Sequence, residues 1–147
     1  NPAQLKHTAN AEARLLTHNL LNPQDLRATD NSLTPYAVFG HPQIASVGAT
    51  EQKLRSAGTP HIVSARNFSD IAYGWAMEDR TGFVKLLADP NSRKLLGAHI
   101  VGPHAPTLIQ LLIQGMTSSL TVDEMARGQL YVHPAMPEVV EQALLGL

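Results

Sequence analysis

Two apolar runs joined by a short polar turn constrain the fold of this chain most strongly. Residues 82–88 and 94–101 are rich in aliphatic side chains, and the run 89–92, Asp-Pro-Asn-Ser, lies between them. Turn-forming residues between two strand-like runs predict a β-hairpin with a turn of about four residues. Strands joined in this way are antiparallel, so we expect an antiparallel sheet.

Three more strand-like runs precede the hairpin, with one short helix among them. The runs are 36–39, 46–48 and 61–68. Residues 50–57 are predicted to be helical, because Thr50 is a favourable first residue and Gly58 follows the last one. A loop is predicted through Gly74, since glycine often interrupts regular structure.

The last third of the chain is predicted to be helical. Segment 104–120 is apolar around most of its circumference and needs cover on several sides. The pattern leaves two explanations open, a subunit interface or an ordinary buried helix. A capping-box pattern at Thr121 and a helix from Glu138 to Leu145, with Pro137 at its start, follow. Strands followed by helices predict an α+β fold, an antiparallel sheet with helices packed on one face.

The N-terminal region is predicted to be distinct from this domain. Residues 4–21 carry an apolar stripe at helical spacing, which stops at Asn22 and Pro23. The following residues are mostly polar and predict a linker. We therefore divide the chain into a terminal helical segment at 1–22, a linker at 23–34 and a domain at 35–147.

Composition excludes several classes of function. The chain has 147 residues, a net charge of −1 and no cluster of basic residues, which argues against binding to nucleic acid or an anionic membrane. It has no cysteine, so disulfides and thiolate metal sites within this chain are excluded. The first residues resemble neither a signal peptide nor a transit peptide, and they look internal to a larger protein. We expect a cytoplasmic location.

The run His133-Pro134-Ala135-Met136-Pro137-Glu138 carries the clearest candidate for chemistry. Pro137 at a helix start places Glu138 in the first turn, where exposed N–H groups favour a carboxylate. Such a carboxylate could orient the His133 ring and favour its protonated form, leaving the other ring nitrogen as a proton donor or acceptor. The alternative is a loop histidine beside a helix-capping glutamate, and spacing alone favours that alternative. The His133–Pro134 bond is a candidate for the cis form.

The other candidates are weaker. The remaining histidines lack the four-residue helical spacing of a zinc site, so we expect no metal centre. The run 73–77 contains the sole tryptophan, in a predicted loop, and predicts either a recognition surface or a packed cluster. The glycines at 97 and 102 lie at the end of a strand without the further residues of a phosphate-binding loop.

Several phrases together resemble the dimerisation domain of the pyridine nucleotide–disulfide oxidoreductases. The phrases are Ala37-Val38-Phe39-Gly40-His41-Pro42-Gln43-Ile44-Ala45-Ser46-Val47-Gly48, Leu95-Leu96-Gly97-Ala98-His99-Ile100-Val101-Gly102, and His133-Pro134 with Glu138. The resemblance extends over 35–147. Residues 72–79 and 133–141 are most similar to the branch that reduces mycothiol disulfide. Residues 4–21 resemble the last helix of the family's FAD domain.

The resemblance implies a complete site that this chain only partly supplies. The whole enzyme would carry FAD, an NADPH site and a cysteine pair, and would be a homodimer that reduces mycothiol disulfide. His133 would be the acid/base of the partner's site, oriented by Glu138, and its backbone would also approach the partner's flavin. Leu5, Lys6 and His7, at the start of the first helix, would lie near the pyrimidine edge of the flavin.

Two departures limit what this resemblance implies. The chain lacks the glycine motifs for FAD and NADPH and the cysteine pair, so this piece alone would be inactive and would bind no cofactor. Pro137 stands where glutathione reductases usually carry serine, which favours the mycothiol branch. The remaining alternatives are the equivalent domain of a glutathione reductase-like enzyme and a non-catalytic interaction module.

Overall fold

The computed structural model describes residues 3–147, so the first two residues of the predicted segment 1–22 lie outside the described residues. The described chain forms five strands and six α-helices, with a single 3₁₀ turn at Phe68–Asp70. The elements are α1 (Lys6–Leu21), β1 (Tyr36–Val38), β2 (Ile44–Gly48), α2 (Glu51–Ser56), β3 (Ile62–Asn67), α3 (Ala72–Ala76), β4 (Phe83–Ala88), β5 (Leu95–Val101), α4 (Ala105–Thr117), α5 (Val122–Arg127) and α6 (Pro137–Leu145).

The five strands form one sheet in the order β1-β2-β5-β4-β3, and every neighbouring pair is antiparallel. The predicted hairpin is confirmed as β4 and β5. Asp89 organises its turn, because its carboxylate accepts hydrogen bonds from the backbone N–H groups of Asn91 at 3.0 Å and Ser92 at 2.6 Å. The turn therefore follows from a short polar side chain bonding to its own local backbone.

The hydrophobic core lies between the sheet and the C-terminal helices. Helix α4 packs on β2 and β5, α6 packs on β3 and β4, and α5 packs beside α6. Val84 and Ile100 on the sheet, and Leu112 and Val140 on the helices, are fully buried. Burial of each such side chain contributes about 1.5–3 kcal/mol. The predicted α+β fold is confirmed, with these three helices on one face.

Cover for the apolar helix α4 comes largely from within this chain. Leu108, Ile109 and Leu112 are buried in the core. At Gly115 an added Cβ would collide with the Met125 side chain, so α4 and α5 approach closely at this point. Ordinary burial therefore accounts for most of the apolar circumference, and a subunit interface on α4 stays a prediction.

The opposite face of the sheet is more polar and is partly covered by the short helix α2. Register places Ser46, His99 and Lys85 side by side across β2, β5 and β4. Glu51 of α2 accepts a hydrogen bond from Lys85 Nζ at 2.5 Å. The Thr50 hydroxyl caps α2, because it accepts from the Lys53 N–H at 3.2 Å. The ion pair thus ties α2 to the sheet.

The predicted loop through Gly74 is wrong, because residues Ala72–Ala76 form α3. Gly74 is buried, and an added Cβ would collide with the backbone of the fully buried Phe68. Glycine here permits a close approach of two backbone segments and does not mark a turn. Gly74, which the sequence pattern assigned to a loop, is therefore required by packing inside a helix.

Helix α1 begins at Lys6 and exposes most of its apolar stripe. Leu16, Leu20 and Leu21 are 60%, 73% and 75% exposed. Residues 22–35, which follow α1, contain no helix or strand. The assignment of 1–22 and 23–34 to a preceding domain and a linker stays a prediction.

Candidate active site

His133 and Glu138 meet at the start of α6. His133 lies in the irregular segment between α5 and α6, and Pro137 opens α6 so that Glu138 stands in the first turn. His133 Nδ1 lies 2.7 Å from Glu138 Oε1. Because an ionised carboxylate can only accept, Nδ1 carries the proton in this contact. The predicted orientation of the ring by Glu138 is therefore present in the structure.

Glu138 is held by two partners and is largely buried. Its second oxygen, Oε2, accepts a hydrogen bond from the Ala135 N–H at 2.9 Å. The Glu138 side chain is 16% exposed. The hydrogen bond from His133, followed by the one from the Ala135 backbone, lowers the pKa of Glu138 against the opposing effect of burial. The carboxylate thus stays ionised and fixed beside the imidazole.

The outer side of the imidazole faces solvent in this chain. The His133 side chain is 70% exposed, and Nε2 has no hydrogen-bond partner within residues 3–147. The neighbouring Leu130 and Val132 are 99% and 72% exposed. The His133–Pro134 peptide bond is cis. A ring with one nitrogen held and the other accessible can donate or accept a proton at Nε2.

The residues predicted to approach FAD lie elsewhere, at the N-terminus of α1. Leu5, Lys6 and His7 line a cavity of about 650 Å³ together with residues of β1 and α4. His7 Nε2 bonds the Pro35 carbonyl at 2.7 Å, and Lys6 Nζ donates to Asn10 Oδ1 at 2.7 Å. The structure therefore joins these three residues to one another but does not bring them into contact with His133.

Sequence patterns did not predict a role for Tyr131 or Gln129. The Tyr131 hydroxyl donates to the Met125 carbonyl of α5 at 2.9 Å. Gln129 Nε2 donates to the same hydroxyl at 3.1 Å. Burial raises the pKa of Tyr131, so the hydroxyl remains protonated and able to donate. The available signal was Tyr131 itself, an aromatic residue with a hydroxyl group two positions before His133.

A second histidine, His99, is held on the polar face of the sheet. Its Nδ1 lies 2.5 Å from Ser46 Oγ, and its Nε2 lies 3.1 Å from the Ala49 carbonyl. A carbonyl only accepts, so Nε2 carries the proton and the Ser46 hydroxyl donates to Nδ1. Burial, chiefly, and the nearby Lys85 charge lower the pKa of His99. His99 is therefore a neutral structural residue.

Neither a metal cluster nor a membrane-crossing helix is found among residues 3–147. No group of three or more histidine or carboxylate side chains in this range could hold a metal ion. None of its helices is both long enough and apolar enough to cross a membrane.

The family model of the pyridine nucleotide-disulphide oxidoreductase dimerisation domain matches residues 34–144. The chain belongs to this family. The match contains the whole sheet, α2 to α5, and all but the last residue of α6. The family resemblance predicted from the sequence is therefore confirmed.

Curated relatives of this family extend over the whole chain. Mycothione reductase of Mycobacterium tuberculosis is 53% identical over 151 residues, which is 100% of this chain and 33% of that protein. Dihydrolipoyl dehydrogenase of Mycobacterium bovis is 34% identical over 144 residues, which is 98% of this chain and 31% of that protein. The chain therefore spans about a third of the length of the relatives it matches.

Two solved structures share the fold. A copper(II) complex of the HOCl-induced flavoprotein disulfide reductase RclA from Escherichia coli has a TM-score of 0.86 and 25% identity, over 97% of this chain and 32% of that one. LpdA from Mycobacterium tuberculosis has a TM-score of 0.78 at 23% identity, over 88% of this chain and 28% of that one, and shows the fold alone.

Proposed function

We propose that this chain is the C-terminal dimerisation domain of an NADPH-dependent, FAD-containing reductase of mycothiol disulfide. The identity of 53% to mycothione reductase, against 34% to a dihydrolipoyl dehydrogenase, supports this substrate over a dihydrolipoamide. Pro137 supports it over glutathione disulfide. The intact protein is a homodimer, and a cytoplasmic location remains a prediction.

In this proposal His133 is the acid/base of the partner subunit's active site. The observation that carries it is the ring geometry, with Nδ1 bound to Glu138 at 2.7 Å and Nε2 open. When the substrate disulfide is cleaved, Nε2–H gives its proton to the departing thiolate. Glu138 stabilises the imidazolium before that transfer and keeps the ring in one orientation.

The residues at the start of α1 fit one edge of a flavin. Leu5 provides no side-chain cap, and the first turn of α1 has no acidic residue, so the positive end of this 16-residue helix is not neutralised locally. The flavin carbonyls, and negative charge on the reduced ring, suit such an end. Leu5, Lys6 and His7 would hold that edge, and FAD and NADPH would supply the electrons when bound. The His133 backbone would approach the flavin of the other subunit.

The test uses the intact reductase with His133→Ala. Turnover of mycothiol disulfide should fall by about 10²–10⁴-fold, because general acid–base catalysis is lost. Reduction of the flavin by NADPH, followed by stopped-flow absorbance, should change by less than about twofold, since Nε2 has no part in that step. His41→Ala, which alters another exposed histidine followed by proline, is the matched control.

Three outcomes separate the candidates. Normal disulfide turnover in His133→Ala would overturn the catalytic role and favour a non-catalytic dimerisation module. Preference of the parent enzyme for glutathione disulfide over mycothiol disulfide, measured as kcat/KM, would assign the chain to a glutathione reductase-like enzyme. Preference for mycothiol disulfide, with loss of turnover in the variant, supports the proposal.

A further inference from the structure

The segment that carries His133 is poorly held by its own backbone. Among the described residues, residues 129–134, between the end of α5 and Ala135, make no backbone–backbone hydrogen bond. Leu130 and Val132 are 99% and 72% exposed, so their side chains do not anchor it to the core. The position of His133 therefore depends on side-chain contacts.

Side chains join this segment to neighbouring helices, His133 through Glu138 of α6 and Tyr131 through α5. The Tyr131 hydroxyl donates to the Met125 carbonyl at 2.9 Å and accepts from Gln129 Nε2 at 3.1 Å. Gln129 Nε2 also lies 3.4 Å from the same Met125 carbonyl. The hydroxyl thus bonds to the Met125 carbonyl and to Gln129, and it fixes the tyrosine against the last turn of α5.

Apolar packing does not replace this anchor. An open pocket of about 270 Å³ lies between the segment and α4, and it is lined by Thr107, Leu108 and Leu111 of α4 with Tyr131, Val132 and Pro137 among the facing residues. Space next to the ring means that the ring alone does not determine where the segment lies. The hydrogen bond to Met125 joins the tyrosine to α5 directly.

We propose that Tyr131 is a positioning residue for His133. This inference rests on the proposed acid/base role of His133. Tyr131 holds the backbone two residues before His133, which is about 7 Å of chain. Glu138 fixes the direction of the imidazole, and Tyr131 fixes the place from which the imidazole extends. Misplacement of a catalytic group by about 1 Å can cost about 10²-fold in rate.

The test is Tyr131→Phe in the intact reductase, which keeps the ring and removes the hydroxyl. We expect kcat for disulfide reduction to fall by about tenfold, with KM and NADPH-dependent flavin reduction within about twofold of the parent. Tyr73→Phe removes the hydroxyl of an exposed tyrosine on α3 and is the matched control. A kcat for Tyr131→Phe within about twofold of the parent would overturn the inference.

A double-mutant cycle separates positioning from general structural support. If Tyr131 acts through His133, Tyr131→Phe should cause no further loss of turnover in a His133→Ala background. A further loss of about tenfold in that background would assign Tyr131 a structural role and reject positioning. If Tyr131→Phe does not assemble, Gln129→Met replaces it in the same cycle. Gln129→Met should lower disulfide turnover by about threefold alone and cause no further loss in the His133→Ala background.

This design distinguishes the two proposals. Normal turnover in His133→Ala alone would defeat the proposed function itself. Loss of turnover in His133→Ala with normal turnover in Tyr131→Phe would defeat only the positioning role.

Discussion

Glu138 contacts His133 with one carboxylate oxygen and the Ala135 N–H with the other, at 2.7 and 2.9 Å. The second contact matters because it ties the carboxylate to the bend that carries the histidine. Both groups then move together, and the carboxylate cannot rotate away without losing two hydrogen bonds. The pair is therefore a preorganised unit at the start of α6.

Removing the charge of Glu138 should change stability in a pH-dependent way. The pKa of Glu138 is lowered from 4.5, so its contribution to stability is complete above about pH 4.5 and is lost as pH falls through the lowered value. The difference in unfolding free energy between the chain and Glu138→Gln, from urea titrations, should be largest near neutral pH. It should shrink as acid protonates Glu138.

Glu141→Gln is the matched control, because Glu141 lies on the same helix and the structure gives its side chain no hydrogen bond among the described residues. It should leave the pH dependence of stability nearly unchanged. A Glu138→Gln difference that stays constant down to about pH 3 would contradict the account of this carboxylate.

Protonation of His99 at acid pH should also lower the stability of the domain. The pKa of His99 is lowered from 6.5, chiefly by burial, so the folded state resists protonation that the unfolded state accepts. Stability from neutral His99 is complete above about pH 6.5 and decreases as pH falls through the lowered value. Glu51, Arg55 and Lys85 are the charged groups that face this site.

The measurement is the free energy of unfolding at pH 7 and pH 5 for the chain and for His99→Asn. The variant should be less stable at pH 7 and should lose less stability on acidification, because it has no buried imidazole to protonate. His104→Asn, at an exposed histidine after β5, serves as the control. An unchanged pH dependence in His99→Asn would refute the burial argument.

Gly74→Ala should destabilise the domain by about 1–3 kcal/mol, because it overpacks a tight contact. The new Cβ would collide with the Phe68 backbone, which cannot move without disturbing the core. Gly40→Ala places a Cβ in ordinary contact, 3.5 Å from the Pro42 carbonyl, and should cost little. Urea unfolding of both variants checks the prediction, and equal stabilities would show that Phe68 yields.

Local patterns were enough to predict most of the fold. The β4–β5 hairpin and α6 were predictable because turn residues, and a proline at the first position of a helix, determine the backbone conformation of adjacent residues. Gly74 misled the prediction, since its role depends on a segment that packs against it from outside the local pattern.

The site was predictable where its residues are close in sequence. His133 and Glu138 are five residues apart and share one bend, so their contact could be predicted from spacing, although spacing alone favoured a structural role. Ser46 and His99 are 53 residues apart and meet only through the register of β2 with β5. The Tyr131 anchor depends on where α5 ends, which determines the position of the Met125 carbonyl.

The central claim, that His133 serves the partner's site, is tested most directly with hybrid dimers of the intact reductase. One subunit carries His133→Ala and keeps its redox cysteines. The other subunit keeps His133, but its redox cysteines, which lie outside this chain, are replaced. If the site is shared, each purified hybrid contains one complete site and should show about half of the unmodified enzyme's turnover of mycothiol disulfide. The homodimers of either variant should be nearly inactive. Hybrids no more active than the two homodimers would contradict the claim.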